Sequence, residues 1–163
     1  MKGLDTIDVE KYSTKRDDGS LSYQGITLLL NGLPVKGTFD AIEFATSLSV
    51  GKKVTGELMT CSCGNAGCAG IWEGTKIKVR SRTVEWTDID SGLPKRFHSF
   101  DRVAYAAAIA KTVTLMKEIA AENAVRVKNE DYDRYASLIN YESEDEVDHA
   151  IAYRVNWRKM FPD

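Results

Sequence analysis

Histidine occurs twice in this 163-residue chain, and cysteine and proline three times each. Two histidines leave few schemes for general acid–base catalysis by imidazole. Three cysteines, all between positions 61 and 68, are an odd number packed into one short segment. That argues against a disulfide framework. No apolar run approaches the roughly 20 residues needed to cross a bilayer. The longest, residues 103–110, is Ala-rich and flanked by charge. The first residues, Met1-Lys2-Gly3-Leu4-Asp5, lack the apolar core of a signal peptide. A cytoplasmic protein with no membrane association is therefore expected. Missing too are a phosphate-cradling glycine loop ending in Lys-Ser or Lys-Thr, a His-Glu-x-x-His helix and a Gly-x-Ser-x-Gly elbow. No catalytic motif is left, and the expectation is a binding protein rather than an enzyme.

What is present is a globular balance of 43% hydrophobic and 28% charged residues, enough for a core and too apolar for a disordered chain. The pattern predicts one α+β domain spanning residues 1–163. An antiparallel sheet in the first two-thirds would pack against a long helix and further C-terminal helices. Strands are expected over residues 4–10, 22–30 and 54–60. Asn31-Gly32 marks a hairpin turn after the second. Asp40 with Glu43 forms a capping pair for a helix of about three turns, stopped by Gly51. Residues 75–80 alternate, with Ile77 and Val79 on one side and Lys76, Lys78 and Arg80 on the other. The apolar parity then switches to Val84 and Trp86, so a turn must separate two strands of a hairpin. Residues 96–98 read as a short strand or as a helix entry.

Ser99 is the expected N-cap of the strongest helix, whose stripe is Tyr105, Ile109, Val113, Met116 and Ala120. A second helix is expected after Asn129, containing Tyr132, Tyr135, Leu138 and Ile139. Ser143 and Glu146 make a capping box for a third, with Val147, Ile151 and Val155 inward. A strand with Ile151, Tyr153, Val155 and Trp157 alternating is the second choice for that last segment.

Three segments bear on function. The run Cys61-Ser62-Cys63-Gly64-Asn65-Ala66-Gly67-Cys68-Ala69-Gly70 is glycine-rich enough to wrap and turn its thiols inward. Zinc is the candidate cofactor, held by Cys61, Cys63 and Cys68 with His98 as the fourth ligand of a tetrahedral set. The plainer alternative is that the thiols pack as small hydrophobes. Lys76, Lys78, Arg80 and Arg82 form a basic stripe that is either a solvated strand face or a contact for phosphate or an acidic partner. The formal net charge of −2 argues against general nucleic-acid binding, and aromatic interleaving is not evident along the stripe.

The third segment, residues 130–148, carries eight acids, Glu130, Asp131, Asp133, Glu142, Glu144, Asp145, Glu146 and Asp148, against Arg134 alone, a local charge of −7. Helix capping and a solvated face account for part of this. The interspersed Tyr132, Tyr135 and Tyr141 also suit an interface for a basic protein. The candidate partner-binding residues are thus Glu130, Asp131, Asp133, Tyr135, Glu142, Glu144, Asp145 and Glu146.

The Asn31-Gly32 turn, the Cys61-Ser62-Cys63-Gly64 to Gly67-Cys68-Ala69-Gly70 loop, the strand with Trp86 and Phe100-Asp101-Arg102 leading to Tyr105 together resemble a group of small, uncharacterised bacterial cytosolic proteins. The resemblance covers about residues 25–110. In size and acidity the chain is similar, in type rather than motif, to immunity proteins of bacterial contact-dependent toxin systems. That likeness implies neutralisation of a cognate toxin, such as a nuclease, by covering it with the acidic surface.

Overall fold

The computed structural model describes residues 3–49, 51, 53–60, 66–88, 90, 92–128 and 140–161. The first feature is a long antiparallel hairpin, β1 (Ile7–Lys15) and β2 (Leu21–Leu30), in register from Ile7↔Leu30 to Thr14↔Tyr23. β1 starts later than the expected 4–10 and runs on through Lys11, Tyr12, Ser13 and Thr14. Those residues have no apolar alternation; their pairing comes from the ten-residue partner strand. Asn31 (φ 53°) and Gly32 (φ 76°) supply the two positive φ angles of a tight turn into β3 (Leu33–Pro34).

The expected strand over 54–60 is two strands. β5 (Lys53–Gly56) edges a four-stranded antiparallel sheet, while β6 (Met59–Thr60) pairs with β4 (Thr38–Phe39). Leu58, fully buried between them, carries the chain from one sheet to the other. The larger sheet has the order β5-β7-β8-β9, with β7 (Thr75–Val79), β8 (Thr83–Asp88) and β9 (Phe97–Asp101). Its β7–β8 register pairs Ile77 with Trp86 and Val79 with Val84, as the parity switch requires.

Helix α1 (Ala41–Ala45) is much shorter than three turns and ends before Gly51. Asp40 caps it by accepting from the Glu43 N–H at 2.9 Å. The Thr46 and Ser47 hydroxyls bond back to the carbonyls of Ile42 (2.8 Å) and Phe44 (2.7 Å) and hold the chain in turns. Helix α2 (Arg102–Lys128) is capped by Asp101 rather than Ser99, its Oδ1 accepting from Val103 and Ala104 at 2.9 and 3.0 Å. Ser99 instead pairs with Glu85 inside β9, a strand set by Phe100 packing beside Val84 and Trp86. Helix α3 (Glu144–Met160) replaces the alternative strand for this segment, and the Ser143 hydroxyl accepts from Glu146 N–H at 3.2 Å. The helix expected after Asn129 lies outside the described residues.

One apolar cluster unites these elements: Val9 and Leu28 from the long hairpin, Phe44 from α1, Ile77, Trp86 and Phe100 from the larger sheet, Tyr105, Met116 and Ile119 from α2, and Val147 from α3. At its centre the Tyr105 hydroxyl meets the Ser47 hydroxyl at 2.9 Å and accepts from Trp86 Nε1 at 3.2 Å, while burial pushes its pKa up. Among the described residues no helix is long and apolar enough to cross a membrane.

Candidate protein-interaction surface

Helix α3 buries Val147 and Arg158 and half-buries Ile151, Arg154 and Val155. At 100° per residue these fall on one face. A second stripe runs along its flank: Glu146, His149, Tyr153, Trp157 and Met160. Tyr153 and Met160 are each 65% exposed, Phe161 beyond the helix 60% and Trp157 38%. Exposed large side chains scattered singly are ordinary; four in one contiguous run on a helix end are a patch of the kind partners bind. Near the start of the stripe, Tyr141, Asp145, Glu146, His149 and Ala150 border an open hollow of about 590 Å³.

This helix is anchored from beneath. The buried Glu43 carboxylate receives Arg158 at 2.5 Å and also pairs with Arg154. Burial pushes the Glu43 carboxyl above its ordinary value, with the Arg158 and Arg154 charges opposing. The Arg154 guanidinium carbon also sits 4.4 Å from the centre of the Trp157 ring, and the Trp157 and Phe161 ring centres are 5.4 Å apart. A single carboxylate on α1 thus fixes two arginines of α3, and one of them fixes the exposed indole. At the other end, Asn123 of α2 accepts from Gln24 at 2.9 Å and donates to the Tyr141 carbonyl at 3.0 Å. Lys117 holds Asp148 at 2.8 Å, with Glu144 at 4.0 Å.

The acidic residues divide by role. Glu146 is structural in part, its Oε2 accepting from the Glu142 N–H at 2.7 Å. Glu144 and Asp145 are exposed in the first turn, and Glu142 is half-buried just before it. The positive end of the helix dipole favours all of them. Glu130, Asp131, Asp133 and Tyr135 lie outside the described residues. Of these acids Glu146 alone shares the direction of the aromatic stripe, which the sequence reading did not single out; Glu144 turns toward Lys117 of α2. The signal was there: Tyr153, Trp157 and Met160 recur at helical spacing beside the Val147–Ile151 stripe rather than on it.

Of the zinc ligand candidates, Cys61 and Cys63 lie outside the described residues. Cys68 is exposed on a 3-10 turn at Gly67–Ala69. His98 is 1% exposed, faces Trp86 edge-on and stacks on Phe100 at 5.7 Å. Its Nδ1 lies 3.3 Å from Asp5 Oδ2, outside hydrogen-bond geometry. His98 is part of the aromatic core, and among the described residues no group of three His, Cys, Asp or Glu side chains stands together as a metal site would.

No family model, curated protein or solved structure matches the chain.

Proposed function

We propose that the chain is a binding protein of the immunity type, which neutralises a basic partner by laying the acidic and aromatic flank of α3 over it. The observation that carries this reading is the presence of two features on one helix. An acidic first turn stands at one end, and an exposed run of Tyr153, Trp157, Met160 and Phe161 extends toward the other. Carboxylates steer a basic surface in, and fixed aromatics supply the desolvated contacts that dominate affinity. Among the described residues no cysteine lines the hollow beside His149.

The test uses the protein as bait in lysate of its own cell at low and moderate salt, comparing wild type with two exposed-surface variants. One is Glu144→Lys with Asp145→Lys; the other is Tyr153→Ala with Trp157→Ala. Glu146 is spared because it caps the helix. A stoichiometric basic protein is expected to bind wild type. With that protein purified, the aromatic variant should bind about 30-fold more weakly, the scale of a hot-spot loss. The charge variant should mainly slow association at low salt. Equal binding by all three proteins, or no basic partner at either salt, refutes the proposal.

A further inference from the structure

The outer face of the four-stranded sheet has a composition opposite to that of α3. Alternation along β7 buries Thr75 and Ile77 and turns Lys76 and Lys78 outward. The strand register then brings in residues distant in sequence. Lys53 on edge strand β5 lies directly opposite Lys78, and Lys76 lies opposite Thr87, which lies opposite Phe97. Phe97 is 52% exposed. The aromatic residue that the basic stripe lacks in sequence is thus supplied by β9, two strands and about 10 Å across the sheet.

Among the described residues the lysines of this face are not neutralised. Glu85, opposite Lys78, is taken by Arg80, whose Nε and Nη2 donate to it at 2.9 and 3.0 Å. Asp101 is occupied as the cap of α2. Among the described residues Lys53, Lys76 and Lys78 form no ion pair, and two of them are cross-strand neighbours of like charge, an arrangement that costs stability. Beyond the β7–β8 turn, Arg82 and Arg102 line an open cleft of about 440 Å³. Outside the −7 segment the rest of the chain carries a formal charge of +5, since −2 less −7 is +5.

We propose that this face and the cleft at its end bind single-stranded nucleic acid, with Lys53, Lys76, Lys78, Arg82 and Arg102 on phosphates and Phe97 stacked on a base. An acidic polypeptide would satisfy the lysines equally, but a nucleic acid alone carries a planar ring with every charge, and the exposed phenyl amid lysines favours it. An antiparallel sheet with one exposed aromatic among basic side chains suits binding without sequence preference.

The experiment is fluorescence anisotropy of labelled 20-nucleotide oligo-dT and oligo-U with the full chain, between 50 and 300 mM salt. Five phosphate contacts predict a slope of roughly −3.5 in log K against log salt. Phe97→Ala should weaken binding about tenfold. Lys76→Gln with Lys78→Gln, two exposed changes that leave the inward face untouched, should make the slope shallower by about 1.4. Circular dichroism should show both variants folded. Absence of binding at 50 mM salt and 100 µM protein overturns the proposal, as does binding that neither variant weakens. If polyglutamate displaces the oligonucleotide at equal charge and Phe97→Ala has no effect, the face takes an acidic polypeptide instead. The α3 flank is unaltered in both variants, so this outcome is independent of the partner proposed above.

Discussion

Removing the Arg158 guanidinium should loosen α3 more than any surface change. Arg158 is 4% exposed and meets the Glu43 carboxylate, itself on a residue 7% exposed, at 2.5 Å. Breaking a buried pair by deleting one partner costs about 3–5 kcal/mol, because a charge is left without compensation in a poor solvent for it. Here Arg154 still contacts Glu43 and is 26% exposed, so part of the charge stays compensated. The expected loss for Arg158→Met is therefore about 2–4 kcal/mol. For a chain of this length that corresponds to a fall in Tm of about 5–14 °C. Glu43→Leu alone should cost at least as much, since it strands two guanidinium groups. The double variant Glu43→Leu with Arg158→Met should cost less than the sum of the singles by 1.5 kcal/mol or more. Urea denaturation of the four proteins, with equal m-values, measures this cycle. A loss below about 0.5 kcal/mol for Arg158→Met, or strict additivity, would refute the view that this carboxylate anchors the helix.

Acid should destabilise the protein in two separate windows. Burial holds His98 below its ordinary pKa against the opposing Asp5 charge, so stability present above pH 6.5 falls as pH drops through the unfolded value toward the folded one. Burial alone would raise Asp5, but Lys95, Asn31, the Ser99 N–H and His98 together bring it to about 2; its contribution of roughly 1–2 kcal/mol is lost between about pH 4 and pH 2. Urea midpoints between pH 8 and 2 should show both steps, and His98→Phe should remove the upper one and shrink the lower, since His98 is among the groups that lower Asp5; a single step in that variant and in wild type alike contradicts the assignment. Gly74→Ala should cost at least about 2 kcal/mol, because φ is +66° and an added Cβ would lie 2.7 Å from the Gly56 carbonyl oxygen. A Tm within 2 °C of wild type for that variant would mean the loop adjusts freely.

Local chemistry made much of the α+β fold legible. The Asn31-Gly32 turn, the β7–β8 hairpin and the Ser143 cap each depend on residues within a few positions of one another, and each appears where its pattern puts it. The misplaced boundaries are those decided at a distance. Ser99 is a good cap by type, but Phe100 and His98 pair with Val84 and Trp86, so the strand extends and Asp101 caps instead. Residues 54–60 read as one strand because nothing in their own sequence shows that Gly56 closes one sheet and Met59 opens another. The site divides in the same way. The acidic turn could be read as charge density, and the aromatic flank could have been found by projecting α3 as a helix. The Glu43 anchor could not, since it joins residues 115 positions apart.

A net charge of −2 conceals a chain with two charged regions of opposite sign on different secondary elements. The carboxylates of α3 share a helix with Trp157, which Arg154 holds, and the lysines of β5 and β7 sit across a sheet from Phe97. Each region pairs charge with an exposed ring, the combination that gives both long-range attraction and a desolvated contact. Among the described residues Lys53, Lys76 and Lys78 form no ion pair with the carboxylates of α3. The acidic flank of one copy and the basic sheet of another are therefore complementary. Such a contact is head-to-tail rather than two-fold, so it would propagate rather than close. Salt of physiological strength screens exposed charges beyond about 8 Å. Self-association of this kind should then weaken steeply with salt, whereas an aromatic-anchored partner on α3 should persist.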